Sequence, residues 1–233
     1  GKSALLGNIA TLRALKGARV GIFSLEMSAR QLFTRTLVNQ GHATALELRS
    51  GNIPSEHWNQ VTEGFAAHSD LPIWVDDTAS IDITTLRSRA LRLHLQHGLD
   101  LLCVDYVQLV TAPGGYQRNR QQEIGAITRG LKALAKDLNC PILAAAQLNR
   151  NAEGQRPTLA DLREAGDIEN DADGVIFIHR ERECASGTVC PAELIVAKHR
   201  NGPTGSIELI FLENLAKFEN AKRMDDPFAG KKK

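Results

Sequence analysis

The chain has 233 residues, 42% of them hydrophobic, which suffices for one substantial core and excludes several large domains. Its 28 Lys and Arg residues against 27 Asp and Glu residues leave a net charge of +1, so any contact with nucleic acid has to be local. The chain has no membrane-length apolar run, no secretory leader and only four cysteines, which together predict a cytoplasmic protein with reduced thiols and no membrane partner.

Apolar segments alternate with helical patterns along the chain, which predicts a mainly parallel sheet flanked by crossover helices. The predicted helices are 4–16, 28–40, 43–49, 55–68, 83–97 and 121–138, and the predicted strands are 20–25, 72–75, 99–104, 141–145, 174–179, 192–197 and 206–212. The last two strands flank a turn at Arg200-Asn201-Gly202-Pro203, which predicts an antiparallel C-terminal edge. Residues 111–120 and 149–171 are predicted loops. We expect one domain over 1–220 and a disordered tail at 221–233.

The start of the first helix carries a candidate phosphate site. Gly1, Lys2 and Ser3 match the last three residues of the pattern G-x-x-x-x-G-K-[ST]. In that pattern the lysine binds the β- and γ-phosphates of ATP, the helix N-terminal N–H groups (here near Ala4) hold the anion, and the hydroxyl binds Mg²⁺. Asp105 ends a buried apolar strand and is the expected second holder of the metal. Gly-Lys-Ser alone is weak evidence, because it also begins ordinary helices.

Polar residues also follow two other strands, at the edge where open α/β sheets bind ligands. We predict that Glu26 orients the attacking water and that Gln147 senses the γ-phosphate. Lys198 and Arg200 are two residues apart on an edge strand, so both side chains point to one side. They are candidates for stabilising the transferred phosphoryl group from a neighbouring subunit. An ordinary charged turn is the alternative interpretation.

With these residues assigned, the chain strongly resembles the C-terminal RecA-like motor domain of DnaB-family replicative DNA helicases over nearly its whole length. The segments that carry the resemblance, in order and spacing, are 23–28, 104–109, 120–124, 131–136, 147–150, 161–166 and 198–205. The resemblance implies a RecA-like P-loop NTPase fold with ATP and Mg²⁺ as cofactors. It also implies a homo-hexameric ring that encircles single-stranded DNA, moves 5′→3′ and unwinds duplex DNA at a replication fork.

The resemblance further implies roles that the residues alone do not suggest. Arg35 is expected to help hold the nucleotide, and Lys198 and Arg200 to act on the neighbouring subunit's ATP, the arginine as a finger. Arg163, Glu164 and Gly166 are expected in the loop that faces the central channel and follows the DNA backbone, with 114–120 as a second channel loop. Primase and a helicase loader are the implied protein partners.

The family pattern is incomplete at the start of the chain. The first half of the phosphate loop is missing, together with the normally central strand before it. We therefore expect a fragment of a longer protein whose sheet lacks its first strand. A RecA-like recombinase or repair paralogue is one alternative function, and segments 162–166 and 198–202 argue against it. A non-hydrolysing ATP-binding assembly module is another, and the presence of Glu26 favours an enzyme over it.

Overall fold

The computed structural model describes residues 1–113, 120–149, 154–165, 168–180 and 189–221, except for the side chains of 163–165. The helices in these ranges are α1 (Lys2–Ala14), α2 (Ala29–Asn39), α3 (Ala45–Ser50), α4 (Trp58–Ser69), α5 (Ile83–His97), α6 (Arg120–Leu138) and α7 (Ile168–Asp171). The strands are β1 (Val20–Ser24), β2 (Ile73–Asp76), β3 (Ile81–Asp82), β4 (Leu101–Asp105), β5 (Val110–Thr111), β6 (Ile142–Ala144), β7 (Gly174–Arg180), β8 (Val189–His199), β9 (Gly205–Leu212) and β10 (Lys217–Asn220). No helix in the described part of the chain is both long and apolar enough to cross a membrane.

The first sheet is parallel and has the strand order β2-β1-β4-β6. Its register pairs Val20 with Ile73 on one side of β1 and Ser24 with Asp105 on the other. The ends of β1 and β4 therefore lie side by side. Ser28 is the N-cap of α2, and it forms a capping box with Gln31, because each side chain accepts a hydrogen bond from the other residue's backbone. The expected mainly parallel sheet with crossover helices is confirmed.

The second sheet is antiparallel and has the order β10-β9-β8-β7, which confirms the expected antiparallel C-terminal edge. Sequence patterns missed β10 and the two-residue parallel pair of β3 with β5. The predicted loop 149–171 also contains α7 and a 3-10 helix, Leu159–Ala165. These elements are too short to show a hydrophobic period, and tertiary contacts hold them in place.

Two helical layers cover the parallel sheet. Leu102 and Val104 of β4 pack with the buried apolar residues of α5 and α6, whereas Leu101 and Cys103 pack with those of α1. Since side chains alternate along a strand, Asp105 is directed to the same face as Cys103, towards α1. The strand pattern thus determines which layer the aspartate meets.

Helix α1 also contacts the antiparallel sheet. Ala4 packs in a cluster with Cys190, Ala192 and Phe211. The buried Asn8 donates a hydrogen bond to Asn39 Oδ1 at 2.7 Å and accepts one from the backbone N–H of Phe218 at 3.0 Å. Asn8 therefore ties α1 to α2 and β10, and it satisfies its own buried polar atoms at the same time.

The cysteines among the described residues differ in oxidation state. Cys103 and Cys140 are free and buried, but Cys190 is disulfide-bonded, so the expectation of reduced thiols is wrong for that residue. A disulfide depends on the spatial approach of two sulfurs, which their spacing in the sequence does not reveal.

The strand expected before Gly1 stays a prediction. Among the described residues, β6 pairs only with β4 and β7 pairs only with β8. Residues 222–233 of the predicted tail lie outside the described residues.

Replacing one leucine of α5 tests the core assignment. Leu86 is 0% exposed and Leu95, on the same helix, is 84% exposed. We expect Leu86→Ala to lower the free energy of unfolding by about 2–5 kcal/mol, because it removes buried contacts and leaves a cavity. Leu95→Ala is the control and should cost less than about 0.5 kcal/mol. Urea denaturation of both variants measures the difference, and equal losses would contradict this packing.

Candidate nucleotide-binding site

The candidate site lies where the N-terminus of α1 meets the carboxyl ends of β1 and β4. Helix α1 begins at Lys2, and its N-cap residue, Gly1, has no side chain that could cover the N–H groups of the first turn. Such a terminus presents backbone N–H groups and the positive end of the helix dipole to an anion. Ser3 is half-buried in the first turn, and Ala4 is packed against the antiparallel sheet. The first turn is therefore held rigidly beside the ends of both strands.

Asp105 is the buried acid of the site. Its side chain is 2% exposed, and its Oδ1 atom has no hydrogen-bond partner among the described residues. Burial lowers the pKa of the Lys2 ammonium, and the carboxylates of Asp105 and Glu26 oppose that effect. Lys2 Nζ also lies 5.5 Å from the ring centroid of Tyr106, which follows Asp105 through a cis peptide bond. A buried carboxylate oxygen without a partner fits a hard cation such as Mg²⁺.

Glu26 is exposed in the short connection between β1 and α2. Hydrogen bonds on both sides hold this connection: Leu25 N–H donates to the Asp105 carbonyl at 2.9 Å, and Ser24 Oγ donates to the Met27 carbonyl at 2.6 Å. Because Glu26 opposes the fall in the pKa of Lys2, its carboxylate acts on the same charge as Asp105. The structure thus brings Glu26, Lys2 and Asp105 together, and the role of Glu26 as base stays a prediction.

Gln147 is exposed beyond the end of β6. Its backbone is held by Gln108, which follows β4: Gln108 Nε2 donates to the Gln147 carbonyl at 3.1 Å, and Gln147 N–H donates to Gln108 Oε1 at 3.2 Å. Arg120, the first residue of α6, donates in turn to the Gln108 carbonyl. Gln108 is not among the residues predicted from the sequence, although its position just after the Asp105 strand was an available signal.

Arg35 is half-buried on α2. It lines a cavity of about 460 Å³ together with Ala4 and Gly7 of α1. The structure therefore brings Arg35 to the α1 side of the sheet, next to the helix that carries Lys2. Its expected role in holding the nucleotide stays a prediction.

Lys198 and Arg200, at and just after the end of β8, contact residues outside the cluster of Lys2 and Asp105. Lys198 Nζ donates to the Glu169 carbonyl, and Arg200 Nη1 lies 3.2 Å from Asp173 Oδ1. These partners are on and just after α7, and they are not residues of the Lys2 and Asp105 cluster. The structure does not assign the two cations to that cluster, which is compatible with action on another subunit.

The expected DNA loop is described only at its base. Arg163 and Glu164 lie in the 3-10 helix Leu159–Ala165, but their side chains are outside the described residues, as are Gly166 and residues 114–119 of the second channel loop. The base of the first loop is held by Leu162, which is buried against Val175, Phe177 and Ile195.

An ion pair between Arg156 and Glu193, which was not predicted from the sequence, also holds the base of the expected DNA loop. Arg156 donates to Glu193 of β8 through Nε at 3.0 Å and through Nη2 at 2.7 Å, and Nη2 also lies 2.9 Å from Ser206 Oγ. Hydrogen bonds from Arg156 and Ser206 lower the pKa of Glu193 to about 2. Two parallel bonds of this kind position a guanidinium more precisely than a single contact does.

The fold and the candidate site together define the structural class of the protein. A parallel α/β sheet, a Lys-Ser pair opening the first helix and an aspartate ending an adjacent strand are the features of a RecA-like P-loop NTPase. A solved ATPase domain has the same fold: its TM-score is 0.87 at 28% identity, over 94% of this chain and 80% of that chain. A DnaB-like replicative helicase, solved with its interactions with primase, gives 0.85 at 28% identity, over 94% of this chain and 54% of that one.

Sequence comparison narrows the class to a family. The sequence model of the DnaB-like helicase C-terminal domain matches residues 1–220. The chain is 41% identical over 234 residues to the replicative DNA helicase DnaB of Geobacillus stearothermophilus, covering 97% of this chain and 51% of that protein. The chain therefore belongs to the DnaB-like helicase C-terminal domain family, as the resemblance predicted. It spans about half the length of the curated relatives it matches.

Acid titration tests the anchor of the loop base. The folded-state pKa of Glu193 is below its ordinary value of 4.5, at about 2. The stabilisation by its charge is therefore present above the ordinary value and lost as the pH falls through the folded-state value. We expect Glu193→Gln to be less stable than the wild type at neutral pH, with a difference that shrinks through this window and vanishes below it. Urea denaturation at stepped pH measures this.

Glu208→Gln is the matched control, because Glu208 is exposed directly across from Glu193 on β9. Because this change removes a like charge opposite Glu193, it should cause no loss of stability at neutral pH. A loss for Glu193→Gln that is equally large at acid and neutral pH would mean that packing, and not charge, anchors the loop base.

Proposed function

We propose that the chain is the motor domain of a replicative DNA helicase, in which ATP hydrolysis drives 5′→3′ translocation on single-stranded DNA and unwinding at the replication fork. The observation that carries the proposal is the buried Asp105, with an unpartnered oxygen, in the electrostatic field of Lys2 at the start of α1. The names of the relatives support replicative helicases and do not favour a recombinase or a non-hydrolysing module.

In the proposed mechanism, each residue near the N-terminus of α1 has a separate role. Lys2 and the N–H groups from Gly1 to Ala4 hold the phosphates, and Ser3 and Asp105 would hold Mg²⁺. When bound, Mg²⁺ would neutralise part of the negative charge of the phosphates. Glu26 accepts the proton of the attacking water, and its exposure leaves its carboxylate free to reach one.

Gln147 reports the state of the γ-phosphate in this mechanism. Its backbone is held by Gln108, so its exposed side chain extends from a fixed point. Arg35, on the same side of the sheet as α1, holds the rest of the nucleotide. The helix N-terminus and two fixed strand ends thus provide the positioning on which phosphoryl transfer depends.

The proposed assembly is a homo-hexameric ring. In it, Lys198 and Arg200 stabilise the transferred phosphoryl group of a neighbour's ATP, because their contacts within the chain lie apart from the Lys2 cluster. Arg163, Glu164 and Gly166 contact the DNA backbone, where a few contacts per subunit suffice because six copies act on one strand. The full-length protein works in the cytoplasm at the nucleoid, with primase and a helicase loader as partners.

Removal of the phosphate lysine tests the site. In the full-length protein, Lys2→Ala should lower ATP hydrolysis by about 10²-fold or more, because the positive charge on the phosphates is lost. Lys16→Ala, which changes an exposed lysine just after α1, is the control and should leave turnover unchanged. Phosphate release measured with and without single-stranded DNA gives the rates. Unchanged turnover in Lys2→Ala would refute the assignment of the site.

A mixing experiment tests action in trans. Arg200→Ala alone should lose about 10³- to 10⁵-fold in hydrolysis. Rings mixed from Arg200→Ala and Lys2→Ala subunits should regain activity, because an intact pocket can then lie beside an intact Arg200. Each variant mixed with itself is the control and should stay inactive. Failure of the two variants to complement each other would place Arg200 in its own subunit's site.

A further inference from the structure

Arg200 is held within its own chain by residues 169–173, at and just after the end of α7, which we call the cradle. Its guanidinium contacts Asp173 Oδ1 at 3.2 Å and the Asn170 carbonyl at 3.4 Å, and its backbone N–H donates to the Asp173 carbonyl at 2.8 Å. The register of the antiparallel sheet causes this meeting, because Gly174 pairs with His199 and the next residues outward are Asp173 and Arg200. The second cation, Lys198, is bound by the Glu169 carbonyl of the same segment.

The cradle is fixed to α6. Lys132 donates to the other carboxylate oxygen of Asp173, and the buried Thr128 donates to Asp171 Oδ2 at 2.5 Å. Thr128 and Lys132 are four residues apart and so lie on one face of the helix. Asp173 is therefore shared between two cations, Lys132 of α6 and Arg200 of the β8 turn. The hydrogen bond from Lys132, and then the charges of Lys132, Arg200 and Lys198, lower the pKa of Asp173.

The cradle directly follows the expected DNA loop in the chain. The 3-10 helix that carries Arg163 and Glu164 ends at Ala165, and α7 begins at Ile168. Ile168 packs against both the main core and the cluster that contains Leu162, the buried anchor of the loop. Packed residues therefore connect the start of the loop with the segment that holds both cations.

From this arrangement we infer that Asp173 is a positioning residue that holds Arg200 in a resting arrangement within its own subunit, and that DNA at the loop releases it. The inference rests on the proposed role of Arg200 towards a neighbour's ATP. The Arg200 and Asp173 side chains are 52% and 59% exposed, so the ion pair between them is weak. A triphosphate carries more negative charge than one carboxylate and accepts several hydrogen bonds from a guanidinium, so Arg200 can leave Asp173 for it.

Lys132 sets how strongly Asp173 holds the arginine. While Lys132 occupies one carboxylate oxygen, it neutralises part of the charge that attracts Arg200. Removal of Lys132 therefore strengthens the ion pair between Asp173 and Arg200, whereas neutralisation of Asp173 abolishes that ion pair. The two changes act in opposite directions on one ion pair, which a purely structural role of either residue does not predict.

The test measures ATP hydrolysis by the full-length protein with and without single-stranded DNA. Asp173→Asn keeps the size of the side chain and removes its charge. It should raise the DNA-independent kcat by about threefold, the scale of an exposed ion pair, and leave the DNA-stimulated rate and the KM for ATP nearly unchanged. Lys132→Met should lower the DNA-independent kcat by about the same factor. The double variant should behave as Asp173→Asn does, because Lys132 acts through Asp173.

Two controls accompany these variants. Asp173→Glu keeps the charge and should retain the wild-type ratio of stimulated to unstimulated rates. Asp100→Asn removes another exposed partner of an arginine, Arg19, at the end of β4 remote from Asp105, and should leave the ratio unchanged. Thermal melting of each variant verifies that it is folded.

The outcomes separate this inference from the proposed function. If Asp173→Asn lowers both rates in parallel, or leaves their ratio unchanged, Asp173 is not a restraint on Arg200 and the inference is overturned. An effect of Lys132→Met in the same direction as Asp173→Asn overturns it as well. If the wild-type protein shows no DNA-stimulated hydrolysis, the proposed function fails first and the inference falls with it.

Discussion

The structure depends on one buried carboxylate at the junction of a strand and a helix. A charged group removed from water is costly unless a counter-charge or metal compensates it. Asp105 is almost fully buried, and Lys2, at the start of α1, lies in its field. The helix N-terminus and the strand end therefore have to stay together. The apolar contacts of α1 with the sheet, and the Asn8 hydrogen bonds to α2 and β10, maintain that position.

The candidate functional residues belong to two sheets, and helix α1 contacts both of them. The parallel sheet carries the carboxylates at the ends of β1 and β4, and the antiparallel sheet carries the two cations at the end of β8. Ala4 packs between them against β8 and β9. The chain thus presents the proposed phosphate-binding edge and a cationic edge separately. The proposed ring of identical subunits, in which each site needs a neighbour, would make use of such a division.

Helix α6 connects these two edges. At its start, Arg120 contacts the Gln108 carbonyl, and Gln108 holds the backbone of Gln147. Three turns further along, Lys132 contacts Asp173, the partner of Arg200. Gln147, the proposed phosphate sensor, and Arg200, the proposed finger for a neighbour's ATP, are therefore supported by the same helix. A helix that contacts both regions can carry coupling between two sites.

The elements with strong periodicity, the order of the motifs and the family were all predictable from the amino-acid sequence. Ile83–His97 was predicted to the residue, and the polar residues at strand ends were found because parallel strands direct their carboxyl ends to one edge. The short elements, such as β10 and α7, and the partners of the site residues depend instead on tertiary packing. Gln108 meets Gln147, and Asp173 meets Arg200, through sheet register and loop packing between residues distant in sequence. No local pattern encodes such contacts, because they arise only when separate strands pair.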